Sequence, residues 1–380
     1  MPERAPAGEL FRFRDRTTAD AIVKRLRELG NGGRYMHVCG THQDTLVRFG
    51  LEPLLASAGV SIRQGPGCPV CVTSPNELEQ VFALARAGVT VAVFGDFMRL
   101  PGPSGTLFDL RSRGEADVQI VYSVEDALAY ARAHGDKEVV YIGIGFETTA
   151  PSTAVAVLDA AHEGIRNFSV LSMHRLLPPA LRAVLSLGEV RLDGLIEPGH
   201  VSTIIGTRPY GPIGDEFRVP QVVTGFEPLD LLMGVLMLSR QRAEGRCEVE
   251  NEYGRVVREE GNTRALEAMA RAFVPRSERW RGFGLITDSA LGLAPALEGL
   301  DAFRRHEEVL EGIWDTDYKE PKGCRCGEVL RGVLEPRECP LFGTKCTPTT
   351  PVGPCMVSRE GGCTIAHKYA KRAGTPKRDG

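Results

Sequence analysis

The chain has 380 residues, 42% of them apolar, enough for two or three domains with ordinary cores. Its 46 basic and 49 acidic residues leave a net charge of −3, which provides no field for nucleic acid. The longest apolar run, Leu231 to Leu238, is far too short for a membrane span, and Met1 to Arg16 is too polar for a secretory leader. Ten cysteines in such a chain read as thiols and metal ligands of a reducing cytoplasm, not as a disulfide framework.

Ile22, Val23, Leu26 and Leu29 predict a helix over Thr17 to Leu29, capped by Thr17 or Thr18 and ended by Gly30. Strand-like runs then begin near Arg34, Gly59, Val89 and Asp117, and helical stretches such as Asn76 to Ala87 and Val124 to Ala133 separate them. A second set begins near Glu138, Asn167, Leu192 and Val219. Strand alternating with helix at this interval predicts parallel α/β units with right-handed crossovers. The two sets form a weak internal repeat, since VVYIGIGFETTA and QVVTGFEPLD both run into Gly-Phe-Glu. The expected division is a first α/β domain over 34–135, a second over 136–240, and a helical, loop-rich remainder made of 1–33 and 241–380. Within that remainder Arg246 to Val257 reads as a short hairpin or strand. Thr263 to Phe273 reads as a helix with Leu266, Met269, Ala270 and Phe273 on one face.

In open α/β sheets the binding crevice lies outside the carboxyl ends of the strands, and the unusual residues fall there. They are Cys39 to His42, Gly65 to Cys71, Gly95 to Arg99, Gly143 to Pro151, Ser172 to His174, Glu197 to His200 and Gly225 to Glu227. Cys68-x2-Cys71 has the spacing of a dithiol that can close to a disulfide, and a helix starting near Pro75 would make it acidic. The plain alternative is a pair of small buried residues beside a glycine turn. Cys39 and His42 offer a thiolate and an imidazole in one loop, suited to iron or to nucleophilic attack, although a single strand-end cysteine is more often structural. Glu147 and Glu227 are candidate acid–base groups at matching strand ends, or else helix-terminal carboxylates. His174 and His200 read singly as packing histidines. Asp96 and Arg99 suit a simple ion pair. Gly143-x-Gly145 is a poor phosphate loop, because the third glycine is missing and Glu147 would repel a phosphate.

Six of the ten cysteines lie between Cys324 and Cys363, among prolines and glycines and with little apolar material to bury. A bound metal would hold such a segment, because metal–thiolate bonding adds folding free energy directly. The Cys-x2-Cys pairs of structural zinc are missing there, and four thiolates from one loop-rich segment suit an iron–sulfur cluster. Zinc and a disulfide-rich tail remain as alternatives. The preferred ligands are Cys324-x14-Cys339-x6-Cys346-x16-Cys363, with Cys326 and Cys355 free or adjacent. Spacing does not separate Cys324 from Cys326.

Together, CGTH, GPGCPVC, GIGFETTAP, SMHRLLPPA, EPGHVSTIIG, GFEPLD and the tail from CRCGEVLRG to CTPTTPVGPCMVSREGGC resemble the HypD family of hydrogenase maturation factors over roughly Tyr35 to Tyr369. The resemblance implies two similar Rossmann-like domains and a third part carrying a [4Fe-4S] cluster. It implies that the protein, with a small HypC-type chaperone, holds an iron ion while cyanide and carbon monoxide are added. Cyanide would come from HypE with HypF, and the transient Fe(CN)2CO unit would pass to the large subunit of a [NiFe]-hydrogenase. Carried over residue by residue, Cys39 binds that iron with His42 beside it, and Cys68 and Cys71 are the redox pair. Cys324, Cys339, Cys346 and Cys363 hold the cluster, and electrons are expected to run from it through the pair toward Cys39. Some relatives carry a second histidine two residues beyond His42; here it is Asp44, so no two-histidine site is implied. The competing reading is an iron–sulfur-dependent thiol–disulfide oxidoreductase, which leaves the Cys39 loop and the Gly-Phe-Glu loops without a purpose. Neither reading involves nucleic acid or a membrane.

Overall fold

The computed structural model describes residues 13–370, so residues 1–12 of the polar N-terminal stretch and residues 371–380 lie outside it. Among the described residues eleven strands run in chain order: β1 Gly33–His37, β2 Val60–Gln64, β3 Thr90–Val93, β4 Asp117–Ile120, β5 Val139–Gly145, β6 Phe168–His174, β7 Gly194–Pro198, β8 Gln221–Thr224, β9 Val249–Asn251, β10 Phe273–Trp280 and β11 Gly284–Leu293. Strands β3, β5, β6, β7 and β8 are buried at every position. That is the pattern of parallel strands covered on both faces. The predicted parallel α/β architecture is present, as two all-parallel sheets of order β2-β1-β7-β8-β9 and β4-β3-β5-β6. Sheet membership does not follow chain order. β1 and β2 pair with β7 to β9, so the chain leaves the first sheet, builds the second and comes back.

Two compact units result. The first takes the chain through Gly65 together with Gly188–Gly261, and the second takes Pro66–Leu187 and the chain from Asn262 on. In the first unit the helix Arg16–Leu29 packs on the helix Pro228–Glu244, enclosing Ile22, Leu26, Tyr35, Ile196, Val222 and Val235. Its cap is Asp15 rather than a threonine: the carboxylate accepts both the N–H and the hydroxyl of Thr18, each at 2.7 Å. A carboxylate at this end also meets the positive pole of the helix. Gly30 ends the helix at φ 63°. β9 supplies the short strand expected within Arg246 to Val257.

In the second unit the helix Pro75–Arg86 begins at a reciprocal cap between Ser74 and Glu77, and its apolar face packs Val81 and Phe82 against Val91, Val93 and Ile142. The helix Thr263–Ala272 lies on the helix Ala150–Glu163. β10 and β11 form an antiparallel hairpin that the hydrophobic pattern did not disclose, and β11 is joined to the end of β6 by a bridge from Ala290 to Arg175. The glycines of Gly143-x-Gly145 serve packing. A Cβ on Gly143 would fall 2.7 Å from the His174 ring, and Gly145 stands at φ +157° with a Cβ position inside the Thr149 side chain. Among the described residues no helix is long and apolar enough to cross a membrane.

A buried ion pair ties β6 to the start of the helix Pro75–Arg86. Arg175 Nη2 lies 2.5 Å from the Glu77 carboxylate with both side chains 1% exposed, and its guanidinium stands over the Trp280 ring. Arg175→Met leaves a buried, unpaired carboxylate, so it is expected to destabilise the fold by about 3–5 kcal/mol. Urea unfolding of the two proteins checks this; a midpoint unchanged from wild type contradicts it.

Candidate metal and thiol sites

In the first unit β1 is flanked by β2 on one side and β7 on the other, so the order reverses between β1 and β7. In open α/β sheets such a reversal marks the carboxyl ends of the two strands as the usual binding place. Cys39 sits there as the residue before the helix Gly40–Arg48, only 9% exposed. His42, one turn on, is fully buried, and its Nε2 lies 3.0 Å from both the Gly225 carbonyl and the Thr224 hydroxyl. A carbonyl only accepts, so Nε2 is assigned the proton and Nδ1 keeps a lone pair that has no hydrogen-bond partner. Burial, reinforced by His37, lowers the His42 pKa to about 3, which keeps the ring neutral. Thr45 donates to the Phe226 carbonyl at 2.7 Å, and the Phe226 ring stacks on His200 at 3.8 Å. Three loops remote in sequence, at Cys39–His42, Glu197–His200 and Gly225–Glu227, are thus drawn to the ends of β1, β7 and β8.

Glu197 lies at the carboxyl end of β7, fully buried, with no hydrogen-bond partner at either carboxyl oxygen. Burial alone raises its pKa to about 8, and nothing in the sequence marked it beyond its place at a strand end. Glu227 is the opposite case. Its half-exposed carboxylate is gripped by Arg14 at 2.7 and 3.1 Å, and Arg14 holds it below the usual carboxylate range.

In the second unit Glu147 is buried, accepts the Leu177 N–H at 2.9 Å and is pushed up to about 7 by burial. Glu147 and Glu227 therefore occupy different units and opposite settings, despite their matching sequence context. His174 is a packing histidine, between Thr153 and Ser172 at 3.3 Å each. Arg99 reaches the Pro348 carbonyl at 2.5 Å instead of Asp96.

Cys68 and Cys71 open the short helix Pro69–Val72, both buried and both free thiols. The Cys71 N–H donates to Cys68 Sγ at 3.2 Å. The expected lowering of thiol pKa is not what Cys71 meets. Burial pushes it up first, then the hydrogen bond and charge of Cys68, with smaller contributions from Cys363 and Glu360. Those last two are tail residues, and the dithiol turn indeed packs against the tail turns Pro354–Met356 and Cys326–Leu330.

The tail encloses one cavity, lined by Cys324, Cys339, Cys346 and Cys363 together with Cys326, Cys355, Leu341 and Phe342. Cys326 and Cys355 are joined as a disulfide, and the other four thiols are free. This pairing separates Cys324 from Cys326, which spacing did not. Burial raises the pKa of Cys324, and Cys339 and Cys346 add to it. Burial likewise raises Cys363, and Cys324, Cys346 and Cys339 add to that. Cys324 and Cys363 feel the other thiols because all four line one space. Gly353 makes room: a Cβ there would fall 2.6 Å from Cys324 Sγ. The Val352 N–H donates to Cys346 Sγ at 3.3 Å. Among the described residues no three His, Cys, Asp or Glu side chains are gathered as a single ion requires. Zinc draws its sulfurs to ~2.3 Å around one centre, whereas a cluster spreads them around an inorganic core. Four free cysteine thiols lining one cavity are a donor set that a four-cysteine cluster accepts.

Fold and site define a parallel α/β thiol protein with a cysteine-lined cavity beside a Cys-x2-Cys turn. A family model, HypD, described as the hydrogenase formation hypA family, matches residues 16–370. The hydrogenase maturation factor HypD of Rhizobium leguminosarum bv. viciae is 43% identical over 94% of this chain and 94% of its own length. That of Rhodobacter capsulatus is 44% identical over 94% of this chain and 97% of its own. The chain belongs to the HypD family.

Glu197 generates a pH prediction. Its pKa rises from 4.5 to about 8 on folding, so its stabilising contribution is full below pH 4.5 and is lost as pH climbs through 8. Glu197→Gln escapes that loss. Relative to wild type the variant is expected to gain stability, by on the order of a few kcal/mol, as pH rises from 5 to 8. Paired urea titrations across that range read it, and a difference that does not change with pH contradicts it.

Proposed function

We propose that this protein is a hydrogenase maturation factor, a redox-active scaffold on which, with a HypC-type chaperone, an Fe(CN)2CO unit is assembled for the large subunit of a [NiFe]-hydrogenase. The observation that carries the reading is the convergence of four free thiols on one cavity beside the Cys68–Cys71 turn. Its HypD relatives are named for hydrogenase maturation over nearly the whole chain.

Cys39 is the ligand of the iron cargo, a soft thiolate suited to low-spin iron that also carries cyanide and carbon monoxide. A cysteine of the chaperone completes its hold, and HypE with HypF supplies cyanide. The Nδ1 lone pair of His42 and the protonated carboxyl of Glu197 stand at the same strand ends, both neutral near pH 7. Neutral His42 and Glu197 add no competing charge of their own to the Cys39 thiolate. Cys68 and Cys71 release two electrons and two protons when they close to a disulfide and take up the same when they open. Cys324, Cys339, Cys346 and Cys363 hold a [4Fe-4S] cluster in the third, cysteine-rich part of the fold. When bound, such a cluster supplies electrons one at a time. Cytoplasm, where thiols stay reduced, suits this chemistry.

Infrared spectra of the protein isolated without oxygen together with its HypC-type chaperone test the reading. Cyanide and carbon monoxide stretches are expected in wild type and absent in Cys39→Ala. Cys68→Ala is expected to keep the visible absorption of the protein but to abolish hydrogenase activity in the producing cells. Wild-type hydrogenase activity in that variant contradicts the assigned pair. A complex free of diatomic stretches that turns over protein disulfides favours the oxidoreductase instead.

A further inference from the structure

The tip of the β10–β11 hairpin, Trp280 to Gly284, lies between the two thiol systems of the second unit. The Arg281 N–H donates to the Val72 carbonyl at 2.8 Å, and its guanidinium Nε donates to the Thr73 carbonyl at 2.9 Å. Both carbonyls close the turn that carries Cys68 and Cys71. The next residue, Gly282, abuts Gly327, directly after Cys326. A Cβ on Gly282 would fall 2.6 Å from Gly327 Cα, and Arg331 Nη1 donates to the Gly282 carbonyl at 2.5 Å. One hairpin tip is therefore fastened to the dithiol turn on one side and to the first helix of the cysteine segment on the other.

The Arg281 side chain is 1% exposed, and Glu320, its ion-pair partner, is 44% exposed. A guanidinium stays charged at any working pH. Water screens the carboxylate more than the buried cation, so the pair leaves a residual positive field inside the protein. The tip that carries it abuts Gly327, the neighbour of Cys326 in the cavity lining, so the charge lies within a few residues of the cysteine cavity.

We propose that Arg281 is a positioning residue that fastens the dithiol turn to the cysteine segment and sets the reduction potential of the thiolate-held centre, with Glu320 moderating its charge. This rests on the cavity holding a cluster. A fixed cation favours whichever state carries more negative charge, so it stabilises the reduced form and raises the potential.

The test is a reductive titration with dithionite of the full chain prepared without oxygen, followed by visible absorption, with iron and sulfide measured beside it. Arg281→Met is expected to shift the one-electron equilibrium about tenfold toward the oxidised form, about 59 mV more negative. Glu320→Gln is expected to shift it the other way, and Arg281→Lys, which keeps the charge, to stay near wild type. A role confined to packing predicts no such opposition of sign. Shifts under twofold in both charge-removing variants, or shifts in the same direction, overturn the proposal. If Arg281→Met loses iron, Glu320→Gln decides alone. A wild type that carries the cluster with unmoved variants overturns this inference only, and a wild type without iron and sulfide overturns the cavity reading as well.

Discussion

Four thiols facing one buried cavity are costly to deprotonate together. Burial disfavours the thiolates of Cys324 and Cys363, and neighbouring sulfurs disfavour them further. A cationic centre reverses that cost, because it binds the deprotonated form and converts mutual repulsion into shared attraction. Much of the second unit is built around this constraint. Gly353 leaves room for a sulfur, the Val352 N–H points at another, and Cys326 is withdrawn from the donor set by pairing with Cys355. The dithiol turn packs on the segment so organised, and the Arg281 tip is wedged against both.

The first unit solves a different problem. His37, His42 and Glu197 are all fully buried at or near the ends of β1 and β7, and burial drives each to its neutral form. Neutral His37, His42 and Glu197 add no charge of their own beside the Cys39 loop. The hydrogen bond from His42 to the Gly225 carbonyl and the stack of Phe226 on His200 keep those groups in place. Glu227 sits outside this arrangement, bound to Arg14 where water reaches it.

Alternating strand and helix makes the parallel α/β class legible, and the spacing of the cysteines singles out the tail. Sheet membership was not legible, because pairing between β1 and β7 is a contact across more than a hundred residues that local periodicity does not record. The β10–β11 hairpin escaped notice for a local reason. Phe273 to Trp280 alternates poorly, with a register shift between Arg276 and Glu278 and a Glu278 side chain that is buried through ion pairing with Arg276 rather than apolarity. The same blindness hid Arg175 and Arg281, since a buried arginine looks like a surface one until its partner is found. Cys326 and Cys324 stand two residues apart, and only the position of Cys355 tells them apart. Gly-Phe-Glu misled in the other direction, by suggesting equivalent carboxylates where one is buried and one is ion-paired at the surface.

The central claim is that four of the six tail cysteines, and not all six, hold an iron–sulfur centre. Iron and acid-labile sulfide measured in the chain isolated without oxygen test it most directly, comparing Cys326→Ser/Cys355→Ser with Cys346→Ser. The account predicts iron and sulfide in equal amounts in wild type, retained in the double variant and lost in Cys346→Ser. Zinc in place of iron, or loss of the metal on removing Cys326 and Cys355 but not Cys346, would contradict it.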